Sequence, residues 1–532
     1  MKGSKLLREV LEKERVRYIF GVPGDIENSL FKELGESSIR FINTRREDAG
    51  AFMADAFART TGELGVCFST LGPGATNMVT GVANAFQDRS AVLALSGQLP
   101  TSKQGPGAHQ YVDLSHLYSA EGVAKAAHMV RKPGDLAVML NRAIFLAKEE
   151  MPGPVHLTLP TDVLDGEAKG ARVVEAEETT RFDYHAALSD LHRMIRESRD
   201  ITVIFGNEVA RSGAGDQLAT FLRQYEIPAY STFQGNGVLA PDHPSNCGVL
   251  SRHSKKAREV LGKQGLIITV GYDSIEGVMP DMWAEAKNTV HISESTAPLA
   301  YNPGLEVTGN TREVLERLNR EFPAQSRPNP ERDKMQIRAE CRSYNESDFP
   351  VNPVRVVREL GELLGPEDTV VSDVGLHKQV VGMFYQPQTP SGTLFSNGLS
   401  SMGFAIPAAN AVKLARPDSR VVAVCGDGGF QMSSQELITA KENGLGTTVI
   451  VMNDGALGMV RSKQLDTVGV THAAEFKESP DFAELARAYG AKGIRVNGPE
   501  ELRPALREAL NSDDLYIIDV PIKHYSDVEI MS

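Results

Sequence analysis

Short apolar runs rich in β-branched residues alternate along this chain with stretches of helical periodicity, the pattern of parallel α/β layers. Residues 41–43, 65–70, 91–95 and 155–159 predict strands of a first unit that closes near residue 165. Residues 166–184 are polar, charged and short of apolar periodicity, which predicts a linker. The runs at 201–206 and 266–271 start and continue a second unit, spanning 185–322. A proline-bearing, highly charged stretch over 323–352 predicts a second linker, and the runs at 369–373, 421–425, 448–452 and 515–519 frame a third unit over 353–532. The expected fold class is therefore α/β, with three doubly wound parallel-sheet domains. No short repeat or low-complexity tract is present, which removes solenoids.

Composition agrees with that division. A chain of 532 residues has room for about three domains of ordinary size. Lys plus Arg at 56 against Asp plus Glu at 69 leaves a net charge of −13, poor footing for nucleic acid or an anionic membrane, so neither is an expected partner. Cys67, Cys247, Cys341 and Cys425 lie far apart without a Cys-x-x-Cys pair, which indicates neither zinc nor a disulfide framework and makes a reducing cytoplasm the expected home. The charged N-terminus has no signal-peptide core, and no stretch approaches the ~20 apolar residues that a membrane span needs.

The chemistry is densest where the third unit's strands end. The run 421–425 leads into Gly426-Asp427-Gly428-Gly429, and the run 448–452 leads into Asn453-Asp454. Two carboxylates at neighbouring strand ends, beside the free N–H groups of a helix start, suit a divalent cation that itself holds a phosphate. Between them, Ser433-Ser434-Gln435-Glu436 predicts a capping box opening a helix that Gly444 stops.

Gly426-Asp427-Gly428, twenty-four residues, then Asn453-Asp454 resembles the signature of thiamine-diphosphate enzymes. The resemblance implies Mg²⁺ held by Asp427, Asp454 and the Ala456 carbonyl, with Gly428, Gly429, Leu457, Gly458 and Met459 around the diphosphate. Asp373-Val374-Gly375-Leu376-His377 is similar to a further diphosphate loop, implying Gly375, Leu376 and His377 as contacts. Gly398-Leu399-Ser400-Ser401-Met402 resembles the segment that bends the cofactor, with Met402 as wedge and the Ser400 carbonyl toward the aminopyrimidine.

In the first unit, Glu47 starts a predicted helix. Taken alone, an acid there is ordinarily a cap or a dipole partner. Its surroundings argue for more, because Phe20-Gly21-Val22-Pro23-Gly24 upstream and Leu71-Gly72-Pro73-Gly74-Ala75-Thr76-Asn77 downstream resemble the pyrimidine-domain motifs of the same family. That implies Glu47 as the glutamate that shifts the aminopyrimidine tautomer, with Pro23, Pro73 and Asn77 lining the ring's pocket. The three units then correspond to pyrimidine-binding, middle and diphosphate-binding domains. Sites of this kind join domains of different subunits, implying a homodimer or homotetramer.

Within the family the chain most resembles acetolactate synthases, implying decarboxylation of a 2-oxo acid, pyruvate by preference, and carboligation to a second 2-oxo acid, with Gln110 and Lys125 in the acceptor pocket. Val270 through Glu276 resembles the flavin-free type more than the flavin-containing one, leaving FAD as the less favoured option. Departures leave the acceptor open: Asp48-Ala49-Gly50 replaces Gln-Gly-Ala, and Lys463 stands where a tryptophan is usual. A simple 2-oxo acid decarboxylase or another thiamine-diphosphate C–C lyase or hydrolase is the alternative, though His109-Gln110 lacks the histidine pair of decarboxylases. A Rossmann dehydrogenase is disfavoured because Gly206 to Arg211 lacks Gly-x-Gly-x-x-Gly, and a non-catalytic scaffold is disfavoured by the retained Glu47, Asp427 and Asp454.

Overall fold

The computed structural model describes residues 1–168, 184–251, 254–283, 286–297, 302–322, 340–341, 344–525, 528 and 530–531; most of the first expected linker and much of the second lie outside the described residues. Three six-stranded sheets, every pairing parallel, organise the chain. In the first, β1 (Tyr18–Gly21), β2 (Arg40–Asn43), β3 (Gly65–Ser69), β4 (Val92–Gln98), β5 (Ala126–Met129) and β6 (Val155–Pro160) run in the order β2-β1-β3-β4-β6-β5. The second orders β7 (Ile201–Phe205), β8 (Ala229–Ser231), β9 (Asn246–Val249), β10 (Leu266–Val270), β11 (Thr289–Ser293) and β12 (Leu305–Thr308) as β12-β11-β10-β7-β8-β9. Short strands β13 (Glu340–Cys341) and β20 (Ile530–Met531) pair antiparallel. The third sheet is β15-β14-β16-β17-β19-β18, from β14 (Thr369–Ser372), β15 (Thr393–Phe395), β16 (Val421–Gly426), β17 (Thr448–Asn453), β18 (Lys492–Arg495) and β19 (Tyr516–Pro521).

Helices on both faces explain the unbroken apolar runs: β3, β4, β6, β7 and β10 are buried along their whole length, so neither face needs polar residues. In the first sheet the chain leaves β1 for β2 on one side and β3 on the other; in the third it leaves β14 for β15 and then β16. Such reversals open a crevice at the strands' carboxyl ends, where ligands bind in open α/β sheets. The residues after β1, β2 and β3, and those after β14, β16 and β17, are the ones that carry the motifs.

The first and third units share one apolar core. The Glu47–Thr61 helix packs on the Pro73–Gln87 and Ala405–Ala415 helices, and Phe52 meets Phe404 edge-on at 5.7 Å between ring centres. Gly50 allows the first of these helices to close on β1, since a Cβ there would come within 2.8 Å of the Gly21 Cα. Among the described residues no helix is long and apolar enough to cross a membrane.

The predicted capping box does not form. The helix runs over Glu436–Glu442 with Gln435 at its N-cap and no side-chain cap bond. The Glu436 carboxylate instead accepts the backbone N–H of Arg45 at 3.0 Å, because the first unit offers that buried acid a donor that no capping pattern encodes.

Candidate active site

Asp427 is the first residue of the Asp427–Ser433 helix, directly after β16, and Asp454 directly follows β17. β16 and β17 are neighbours with Gly426 opposite Met452, so both acids stand at one edge of the crevice. Asp427 is nearly sealed from water, the Asp454 side chain is only 4% exposed, and each keeps one Oδ2 without a hydrogen-bond partner. Burial first, and then the charge of Asp454, push the Asp427 carboxyl up to about 7 against the pull of the Gly428, Gly455 and Ala456 N–H groups. Burial pushes Asp454 up to about 6. Two buried carboxylates that repel each other and each keep an unpaired oxygen fit a divalent cation, which would replace that repulsion by shared attraction. His524 Nδ1 stands 3.6 Å from Asp454 Oδ2, and among the described residues no group of three His, Cys, Asp or Glu side chains is arranged to hold a metal, so carbonyl, phosphate or water oxygens suit the remaining positions. Ala456 offers such a carbonyl, on a buried turn bridged to Glu475.

The residues expected around a diphosphate, 375–377, 427–429, 454 and 456–459, border a single cavity of about 140 Å³, and Met402 borders it too. Two helices, Leu376–Phe384 and Gly458–Val468, begin at its wall without side-chain caps, leaving first-turn N–H groups for anionic oxygens. His377 is buried there, its imidazole bonded to the Asp373 backbone, its Nε2 without a partner and its pKa lowered by burial to about 3. It is therefore a neutral ring at ordinary pH. A Cβ at Gly428 would stand 2.9 Å from Leu457 and 3.4 Å from the Met402 methyl, so only glycine leaves that wall open.

Ser400, which does not border this cavity, holds a left-handed φ of 56° in the segment leading to Met402. Lys378 Nζ donates to the Ser396 carbonyl and the Ser400 hydroxyl, both at 3.1 Å, and Gly403 N–H donates to Asp373 at 3.0 Å.

The second group of residues gathers in the first unit. Glu47 opens the Glu47–Thr61 helix after an extended Arg46, and Asn77 Nδ2 donates to its Oε2 at 3.1 Å. Pro73 occupies the first turn of the Pro73–Gln87 helix behind Gly72, whose φ of +57° and tight approach to the Gln110 carbonyl require glycine. Gln110 thus lies beside this group. Pro23 is exposed on the loop after β1, whose Gly24 rests on Thr70, and Thr70 and Glu47 flank Gly74 together. Glu47 does not border the Asp427–Asp454 cavity of its own chain. The two groups of expected residues thus lie apart within the chain, and Pro73, Thr76 and Asn77 are exposed at the Glu47 group.

Lys125 lies apart from both groups in this chain. Its ammonium donates to the Glu149 carbonyl at 2.8 Å, and its stem packs where a Gly153 Cβ would be. Strand β5 ends the sheet beside β6 and turns residue 125 toward the β6 approach, a placement that spacing does not encode. Asp48, one of the departures from the family pattern, pairs with Arg46 at 3.1 Å.

Two groups escape sequence reasoning. Tyr525 lines the Asp427–Asp454 cavity and its hydroxyl donates to Met452 sulfur at 3.5 Å; it sits past β19 without a motif, and only the pairing of β19 with β17 brings it there. Glu27 is fully buried with Oε1 accepting from Thr70 at 2.9 Å, and burial lifts it to about 7; an acid in a polar loop carries no sequence signal for that.

In the middle unit the turn after β7 is already closed by the chain itself. Glu276 accepts the Asn207 N–H at 3.1 Å and the Asp273 N–H at 3.3 Å and pairs with the Thr232 hydroxyl. A dinucleotide's pyrophosphate would need that first-turn N–H.

Three family models match the chain: the thiamine pyrophosphate enzyme N-terminal TPP binding domain at residues 1–117, the central domain at 188–318 and the C-terminal TPP binding domain at 373–520. Similar along nearly their whole length are the "Probable acetolactate synthase large subunit" of Methanocaldococcus jannaschii, 33% identical over 98% of this chain and 92% of that protein, and the "Acetolactate synthase" of Arthrospira platensis, 31% identical over 99% and 95%. The "Acetolactate synthase isozyme 3 large subunit" of Escherichia coli is 30% identical over 98% and 95%.

Proposed function

Since this chain belongs to the thiamine pyrophosphate enzymes, we propose that it decarboxylates a 2-oxo acid, pyruvate first among them, and joins the product to a second 2-oxo acid as an acetolactate synthase-like transferase. The observation that carries this reading is the convergence of the family's diphosphate residues on one cavity around two aspartates with unpaired oxygens, in a chain similar throughout to proteins named acetolactate synthase.

In this reading residues 1–165 serve the pyrimidine, 185–322 form the middle domain and 353–532 serve the diphosphate. Asp427, Asp454 and the Ala456 carbonyl hold Mg²⁺, and the N–H groups of 375–377, 428–429 and 457–459 take the phosphate oxygens. Met402 sets the bend, and the Ser400 carbonyl faces the aminopyrimidine. When bound, thiamine diphosphate supplies the carbon nucleophile and electron sink of 2-oxo acid chemistry. Glu47 holds a proton against the pyrimidine ring, kept in line by Asn77. Gln110 faces the acceptor. The Glu276 plug at Asn207 supports a flavin-free middle domain.

The separation of the two groups supports an active site built from two chains, in a homodimer or a homotetramer. The Gly458–Val468 helix beside the cavity buries none of its residues in the single chain although it carries Met459, Val460 and Val468, an apolar surface suited to cover by a second copy.

Incubating the protein with thiamine diphosphate, Mg²⁺ and a panel of 2-oxo acids, with products identified by mass, tests the function. Acetolactate from pyruvate is the expected result; an aldehyde alone moves the protein to the decarboxylases, and no CO₂ from any 2-oxo acid overturns the reading.

The raised carboxyls predict a proton–metal competition. Folding favours their protonated forms, so without cation the fold loses stability as pH rises from the ordinary value of 3.8 through about 6 and about 7, and the loss is complete above that. Mg²⁺ binds only the ionised pair, so its stabilisation of the folded protein is expected to be small at about pH 5.5 and full above about pH 7.5. Melting temperatures with and without Mg²⁺ and thiamine diphosphate at the two pH values measure it, and an equal Mg²⁺ effect at both rules it out.

A further inference from the structure

We propose that Asp88, seconded by Asn84, is a positioning residue for the cofactor-bending segment 396–402; this rests on the cofactor reading above. Asp88 ends the Pro73–Gln87 helix of the first unit and is only 1% exposed. Its Oδ1 accepts the backbone N–H groups of Gly398 at 2.9 Å and Asn397 at 3.2 Å, together with Gln234 Nε2 of the middle unit at 2.9 Å. Its Oδ2 accepts from Asn397 N–H at 3.2 Å and from Arg59 Nη1 and Asn84 Nδ2, both at 3.4 Å. Asn84 in turn accepts the Ser396 hydroxyl at 2.6 Å, and Ser396 Oγ accepts the Ser401 N–H at 2.8 Å. The segment is thus gripped by the first unit at residues 396, 397 and 398, and through Ser396 at 401.

That grip encloses Ser400, a non-glycine residue with φ of 56°. Such a conformation persists only where the surroundings over-determine it. Lys378 and Asp373 hold the segment from the third unit, and Asp88 holds it from outside. A carboxylate is required because every group hydrogen-bonded to it donates, while Asp55 shares Asn84 and Arg59 with it; an amide would turn an NH₂ group toward N–H donors.

The placement has a second consequence. The Glu47–Thr61 and Pro73–Gln87 helices both start at the Glu47 group, with Glu47, Pro73 and Asn77 in their first turns. Both end at this grip, with Arg59 donating to the Phe395 carbonyl at 2.9 Å and Asp88 holding residues 397–398. In an assembly that pairs each Glu47 with the partner's metal cavity, two rigid helices per chain join the glutamate of one active site to the bending segment of the other, through Asp88.

The test compares the full-length parent with Asp88→Asn, and with Ser396→Ala should the first variant not fold. Amide hydrogen exchange in the cofactor-free protein is expected to speed about tenfold or more over residues 396–403 and to stay parental over 47–55, because local opening is governed by the bonds removed. With thiamine diphosphate and Mg²⁺, exchange of the bound cofactor's reactive C–H and kcat are expected to fall about tenfold while cofactor affinity stays within about threefold, since the diphosphate seat is untouched. A purely structural staple would lower the melting temperature without separating kcat from cofactor affinity. Parental amide exchange over 396–403 overturns the proposal, as does parental exchange at the cofactor. Faster amide exchange in a variant whose parent binds no thiamine diphosphate would leave the grip standing and sink the cofactor reading instead.

Discussion

Glu47→Gln is expected to lower turnover by about 10²- to 10⁴-fold, the range a positioned proton-holding group supplies, while the affinity for thiamine diphosphate with Mg²⁺ stays within a few-fold. The amide keeps the size of the side chain and can still accept from Asn77, whose Nδ2 stands 3.1 Å from Glu47 Oε2, so the pocket's shape survives. What it loses is the capacity to hold a proton against a ring nitrogen, the role proposed for Glu47. Steady-state turnover and calorimetric titration of the cofactor separate the two effects. Near-parental turnover would remove Glu47 from the chemistry and leave it a dipole partner of its helix.

Asp427→Asn is expected to weaken Mg²⁺-dependent cofactor binding by about two orders of magnitude, because a hard cation loses one of its few charged oxygens. The same change should leave the cofactor-free protein as stable as the parent or more so, because it removes one of two buried acids whose ionisation the fold opposes. The opposite signs distinguish a metal ligand from a structural acid, and melting temperatures with and without Mg²⁺ and cofactor read both. The two variants together report on assembly. Chains carrying Glu47→Gln mixed with chains carrying Asp427→Asn form hetero-oligomers in which one site has both defects and the other none. A 1:1 mixture is then expected to recover about a quarter of parental activity, by the symmetry of a two-chain site. No recovery, under conditions where subunits exchange, would place Glu47 and Asp427 in sites of single chains.

The longer central strands were legible in the sequence, while the interior strands β1, β8 and β11 were not. Buried parallel strands must be apolar on both faces, and runs such as 201–205, 266–270 and 421–425 announce themselves. Of the edge strands β2 was read at 41–43, but β5, β9, β12 and β18 were not, because they are only partly buried and so carry no continuous apolar signal. The acids at 427 and 454 were legible for a similar local reason, since strand, turn and helix start are consecutive in the chain and their chemistry is written within a few residues.

What the amino-acid order determined by itself was therefore the α/β class, three units, and the short motifs whose parts are sequence neighbours. Only the folded molecule decided which motifs share a cavity, that Glu47 stands apart from Asp427 in its own chain, that Lys125 turns to the Glu149 carbonyl, and that Asp88 reaches residues 397–398. The physical reason is range. A helical or strand period reports which side of an element is buried, whereas a bond between residues some three hundred positions apart depends on sheet order and on helix packing, and neither leaves a trace in local spacing.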